Sequence, residues 1–193
     1  MAVLAGAALL TATLKTLTAA ERRQPNRPSQ AGPSEAYRLA DTWQGGTLQG
    51  PADTMLDPAG LDATADALYV ADSGNDRIDV LGFDGRLLAN IGGPGTGAGQ
   101  LSSPRDVAVA AGTVNVADRG NARIVRFGTD GRALEAWPLP EGMAPWGIAA
   151  GGGKVYVSVP ERSLILVLSA GREEARWSIV GEPRGLDLGP DGS

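Results

Sequence analysis

Hydrophobic and polar residues alternate in short runs along most of this chain, and the runs are separated by tight turns. Leu68 and Val70 alternate with Tyr69 and Ala71, the two-residue period of a strand. Asp72-Ser73-Gly74-Asn75 interrupts the run with turn residues: Gly and Asn tolerate positive φ, and Asp and Ser side chains accept nearby backbone N–H groups. Ile78 and Val80 resume the alternation, and Phe83-Asp84-Gly85 turns the chain again. A lone hairpin of this kind is marginally stable in water, so it must pack against others.

The chain supplies them at regular intervals. Asp72 is followed by Ile78 after six residues and by Gly85 after thirteen; Asp118 by Ile124 and Gly131, and Ser158 by Leu164 and Gly171, at the same spacings. Six residues beyond each glycine stands a large apolar residue, Ile91, Trp137 or Trp177. Pro58, Pro104, Pro145 and Pro183 open successive units, 46, 41 and 38 residues apart. Four strands per unit at this period indicate propeller blades. The predicted inner strands are 60–64, 106–110 and 147–150, the second strands 68–71, 114–117 and 155–158, the third 77–81, 123–127 and 164–168, and the outer 87–91, 133–137 and 175–179. A fourth unit begins at Pro183 with an inner strand over 185–188. Residues 36–44, with Trp43, resemble an outer strand that would complete a last blade. Closed propellers have about four to eight blades, so the expectation is a C-terminally incomplete one.

The segment PRDVAVAAGTVNVADRGNARIVRFGTDG, from Pro104, resembles an NHL repeat, and PAGLDATADALYVADSGNDRIDVLGFDG, from Pro58, is similar through VADSGN, RI and FDG. The third unit, YVSVPERSLILVLSAG, keeps the period but has Ser158 aligned with the Asp, no Gly-Asn turn, and Ser163-Leu164 aligned with Arg-Ile. The resemblance covers residues 36–193. It implies an all-β fold, a partial NHL-type β-propeller of four-stranded antiparallel blades from a usually six-bladed family. It leaves function open, because propellers host enzymes, binding modules and scaffolds.

Composition narrows the chemistry. There is no Cys and no His, which removes thiolate chemistry, the commonest general base and the commonest transition-metal ligand. Residues 36–193 carry 13 basic and 20 acidic side chains, net −7, a poor match to nucleic acid, where Lys and Arg supply most non-specific affinity. Residues 1–20 are apolar and small, resembling a signal or anchor segment with a short helix; a truncated membrane region and a soluble helix are the alternatives. Arg22, Arg23 and Arg27 follow it, and residues 21–35 read as a Pro/Ser-rich linker. The propeller is therefore expected at a membrane or outside the cytoplasm, with membrane association through residues 1–20.

The residue after each entry proline should sit at one mouth of the propeller, on the same face as the turn between second and third strands. Arg105, Trp146 and Arg184 take that place in three units and Arg119 opens such a turn; together they are the candidate ligand-binding residues. Arg77, Arg123 and Arg162 should lie beside the same turns. Guanidiniums with one indole suit an anionic or flat partner: an acidic protein or peptide, an anionic small molecule or a glycan. Asp62, Asp106 and Asp187 lie on inner strands and are expected to face a water-filled channel; no metal site, cofactor or catalytic set is expected. Asp72 and Asp118 read as carboxylates capping turn N–H groups. The reading is a non-catalytic interaction or sensor module. The alternative is a propeller hydrolase or lyase, lactonase-like and Ca²⁺-dependent through inner-strand carboxylates, with catalytic residues partly in further blades; the lyases similar in fold depend on histidines.

Overall fold

The computed structural model describes residues 54–189. They contain twelve strands in three four-stranded antiparallel sheets, each in sequential order. The first blade is β1 (Pro58–Ala63), β2 (Leu68–Asp72), β3 (Arg77–Leu81) and β4 (Leu87–Gly92). The second is β5 (Pro104–Ala110), β6 (Thr113–Asp118), β7 (Arg123–Gly128) and β8 (Ala133–Pro138). The third is β9 (Ile148–Gly151), β10 (Lys154–Val159), β11 (Leu164–Ser169) and β12 (Arg172–Ser178). The inner strands of neighbouring blades run side by side, β1 against β5 and β5 against β9. The expected N-terminal helix, the linker, the strand at 36–44 with Trp43, and the membrane reading of residues 1–20 lie outside the described residues.

Two hydrophobic cores lie between the blades. One gathers Ile78, Ile91, Leu101, Val116 and Phe127 from blades one and two; the other gathers Ile124, Trp137, Val157, Leu164, Leu166 and Leu168 from blades two and three. The alternation in the sequence follows from this: strand residues of one parity face a neighbouring blade. The large apolar residue of the outer strand is part of the contact. Ile91 and Trp137 are buried, and a Cβ on Gly171 would come within 2.8 Å of Trp137 Cδ1. Trp177, in the same place on blade three, is half exposed. Its neighbour is Tyr156, with ring centroids 5.8 Å apart.

The turn between second and third strands is the same in all three blades: three residues of 3₁₀-helix, then one residue in left-handed conformation, Asp76, Ala122 or Ser163. In blades one and two a buried carboxylate anchors it. Leu56 N–H donates to Asp72 Oδ1 and Ser102 N–H to Asp118 Oδ1, both at 2.7 Å. The Asn75 and Asn121 amides and the Arg77 and Arg123 guanidiniums donate to the second oxygens. These aspartates therefore do not cap turn N–H groups as expected; they tie the incoming crossover to the turn. Arg123 adds bonds to the Thr96, Gly97 and Gln100 carbonyls of that crossover.

Blade three corrects the sequence register. Val159 pairs with Leu164 as Asp72 pairs with Arg77 and Asp118 with Arg123, so Val159, not Ser158, stands at the aspartate position. The buried ion pair is replaced by two buried apolar side chains in the inter-blade core. Such an exchange is energetically reasonable, because a buried pair must first offset the desolvation of both charges. The equivalence also brings Pro145 to fourteen residues before Val159, matching the other blades. The turn before β12 is correspondingly one residue shorter. A further difference lies at 185–188, which forms no strand among the described residues. That segment runs beside β9, held where Ser158 Oγ donates to the Arg184 carbonyl at 2.7 Å.

Candidate functional site

The structure brings all four candidate ligand-binding residues together. The Arg105, Arg119 and Arg184 guanidinium carbons lie 4.8, 4.8 and 4.5 Å from the ring centroid of the one indole, Trp146. Arg105 follows Pro104 at the start of β5, and Trp146 follows Pro145 just before β9. The Trp146 backbone N–H donates to the Ser158 carbonyl at 2.9 Å, which fixes the start of the third inner strand. Arg184 is placed by the Ser158 hydroxyl. Arg119 opens the 3₁₀ turn directly after the anchored Asp118. The cluster is thus a product of the repeat: three entry positions and one turn meet at the mouth of the blades.

Its charges are unevenly balanced. Arg119 Nη2 is ion-paired with Glu161, and Arg184 Nη2 lies 3.2 Å from Glu182. Arg105 makes no hydrogen bond or ion pair among the described residues, and its buried Nε has no acceptor; the buried Nη1 of Arg119 lacks one too. A guanidinium stacked on an aromatic face keeps N–H groups along its edge with which to bond a carboxylate or phosphate. Burial without a partner makes that donor costly to leave unmet. The Arg119 guanidinium holds the Glu161 carboxyl below its ordinary range, and the positive charge of Arg184 acts in the same direction.

Glu161 was not among the residues the sequence singled out, although a signal is present. It occupies the middle of the 3₁₀ turn, where blades one and two have Gly74 and Gly120. A Cβ there would come within 2.7 Å of the Leu56 or Ser102 carbonyl oxygens of the crossover. Blade three has a shorter crossover, so a side chain fits. The other arginines near these turns serve the fold. Arg77 pairs with Asp72 and Asp79, Arg123 holds the crossover, and Arg162 Nε donates to the Gly142 carbonyl.

Below the mouth a cavity of about 580 Å³ runs along the inner strands, lined by Asp62, Asp106 and Asp187 together with apolar residues including Val107 and Ile148. Two of these carboxylates do more than face water. Asp62 Oδ2 accepts the Val109 N–H at 2.7 Å and Asp106 Oδ2 the Ile148 N–H at 2.9 Å, so each links its inner strand to that of the next blade. Burial is the largest influence on Asp106 and pushes its carboxyl from 3.8 up to about 6. Among the described residues no three His, Cys, Asp or Glu side chains are grouped to hold a metal ion.

Residues 101–127 match the NHL repeat. This chain carries an NHL repeat in its second blade. The match spans β5, β6 and most of β7, including Arg105, Asp118 and Arg119. Solved structures share the architecture. Streptogramin B lyase is 20% identical with a TM-score of 0.58, covering 70% of this chain and 46% of that one. Virginiamycin B lyase from Staphylococcus aureus is 17% identical with a TM-score of 0.58, covering 73% and 48%. A chain of the nidogen/laminin complex is 18% identical with a TM-score of 0.57, covering 70% and 53%. The chain thus spans about half the length of these structures. At such identities the likeness establishes the propeller-type fold, which the NHL-repeat chain shares with enzymes and with members of protein complexes. No curated protein sequence matches the chain.

Proposed function

We propose that this NHL-repeat chain is a non-catalytic interaction module that takes an acidic segment of a protein or peptide at the mouth formed by Arg105, Arg119, Trp146 and Arg184. One observation carries the reading: three guanidiniums converge on one indole, and two buried N–H groups in that cluster have no acceptor. Because the protein's own arginines stack on Trp146, the indole serves as a scaffold for cations. It is less suited to be a platform for a sugar ring or a base. The residues offer oxyanion recognition, with edge N–H donors in fork geometry.

The apolar residues 1–20 support a placement at a membrane or outside the cytoplasm, which cell fractionation of the tagged full chain tests. For binding, the full chain is titrated with a fluorescently labelled hexaglutamate peptide and read by anisotropy. Binding should weaken with rising salt. Arg105→Gln and Arg184→Gln should each weaken it at least about tenfold, since losing a charge-assisted hydrogen bond costs about 1.5–3 kcal/mol. No binding by the wild-type chain, or binding by both variants equal to that of wild type, overturns the reading.

A further inference from the structure

We infer that Glu161 is a resident competitor for this mouth: its carboxylate occupies Arg119 in the place that an acidic ligand's carboxylate would take, and the ligand must displace it. The inference rests on the oxyanion reading of the mouth and adds what regulates access to it.

The first argument is position. Glu161 reaches Arg119 across the boundary between blades two and three, 42 residues away in sequence. It can do so because the third crossover leaves room for a side chain where Gly74 and Gly120 are pressed against backbone. The second is exposure. The Glu161 side chain is 45% exposed and Arg119 24%, so the carboxylate can swing out into water without opening the fold, while the arginine stays on Trp146. The third is the balance of charge. The arginines at the mouth number three; Glu161 and Glu182 each engage one, and Arg105 has neither. An incoming acidic group meets one unengaged guanidinium at once and gains a second by replacing a resident carboxylate, of which Glu161 is the one that crosses between blades. Ligands presenting several carboxylates are therefore favoured over a single carboxylate, which can take Arg105 but has no second group with which to displace Glu161.

The test uses the full chain and the labelled hexaglutamate peptide. Glu161→Gln keeps a carbonyl oxygen for Arg119 to donate to while removing the charge. Glu174→Gln makes the same change in charge at the ion pair with Lys154, at the opposite ends of the strands, and serves as the control; Arg105→Gln reports on the mouth itself. Glu161→Gln should bind the peptide about two- to fivefold more tightly than wild type, the range a partly exposed ion pair provides, with Glu174→Gln unchanged. Tightening in Glu161→Gln relative to wild type, together with loss in Arg105→Gln, supports the inference. If wild type binds and Arg105→Gln weakens it, but Glu161→Gln binds equally or less well, the mouth stands and the competitor role is overturned. Equal tightening in Glu161→Gln and Glu174→Gln shows a general charge effect and also overturns it. If no variant binds, both the mouth and the competitor role fall. Superimposable circular dichroism spectra and melting curves confirm that each variant is folded.

Discussion

A carboxylate on an inner or second strand can serve opposite ends in this fold, depending on which donors face it. Asp118 is fully buried but has a guanidinium 2.7 Å from one oxygen and a backbone N–H 2.7 Å from the other. Asp106 has only two backbone N–H donors, from Val107 and Ile148, and burial dominates. Its folded pKa of about 6 exceeds the ordinary 3.8, so the folded chain holds that proton more tightly than the unfolded chain. The stability this group contributes is therefore fully present below about pH 4 and is lost as pH rises through about 6. Asp106→Asn remains neutral throughout. In urea unfolding across pH 4 to 7, the variant should gain on wild type by about 3 kcal/mol at most, at roughly 1.4 kcal/mol per unit. A stability difference that stays flat over that window would show that the two N–H donors, not burial, govern Asp106.

At the scale of the hairpin, the blades were legible in the sequence wherever turn chemistry repeated. Asp-x-Gly-Asn marked two turns, and the alternation of Leu68, Val70, Ile78 and Val80 marked the strands around them. Blade three lacks those signals: Pro160-Glu161-Arg162 builds the same 3₁₀ turn with other residues. Counting back from Gly171 then placed Ser158 one position early, because the turn before β12 is one residue shorter and sequence spacing cannot show which turn was shortened. The mouth was legible for the opposite reason. Arg105, Trp146 and Arg184 follow entry prolines, and that offset survives in every blade. The pairing of Arg119 with Glu161 was not legible, since it joins two turns that only inter-blade packing brings together. The hydrogen bonds of Asp62 and Asp106 to the next inner strand were hidden likewise. The glycine before β12 supplies an element-scale prediction. Gly171 has φ +75° and a Cβ there would press on Trp137, whereas Gly112 has φ +74° with nothing within 4 Å. Gly112→Ala should cost only the left-handed penalty, about 1–2 kcal/mol. Gly171→Ala should cost that plus displacement of a buried indole, a further 1–3 kcal/mol or so. Equal losses in chemical denaturation would mean that the outer aromatic does not couple the blades.

At the scale of the molecule, the main contacts that join blades among the described residues run between neighbours. Asp62 joins blade one to blade two, and Asp106 joins two to three. Asp76 accepts the Ser103 N–H of the next entry, and Glu161 meets Arg119. The two larger hydrophobic cores are likewise each shared by two adjacent blades, and blade two alone contributes to both, while a smaller cluster around Val70 and Leu81 belongs to blade one. Energetically the described residues behave as a short row of coupled units, in which an end unit is held from one side and the middle unit from two. The row should therefore open from its ends, as a zip does, and backbone amides provide the clock. In deuterated buffer the amides of β6 and β7 should exchange last, those of β2, β3, β10 and β11 earlier, although all six are central strands with both edges paired. Uniform protection across the three blades would instead mean that they open as one.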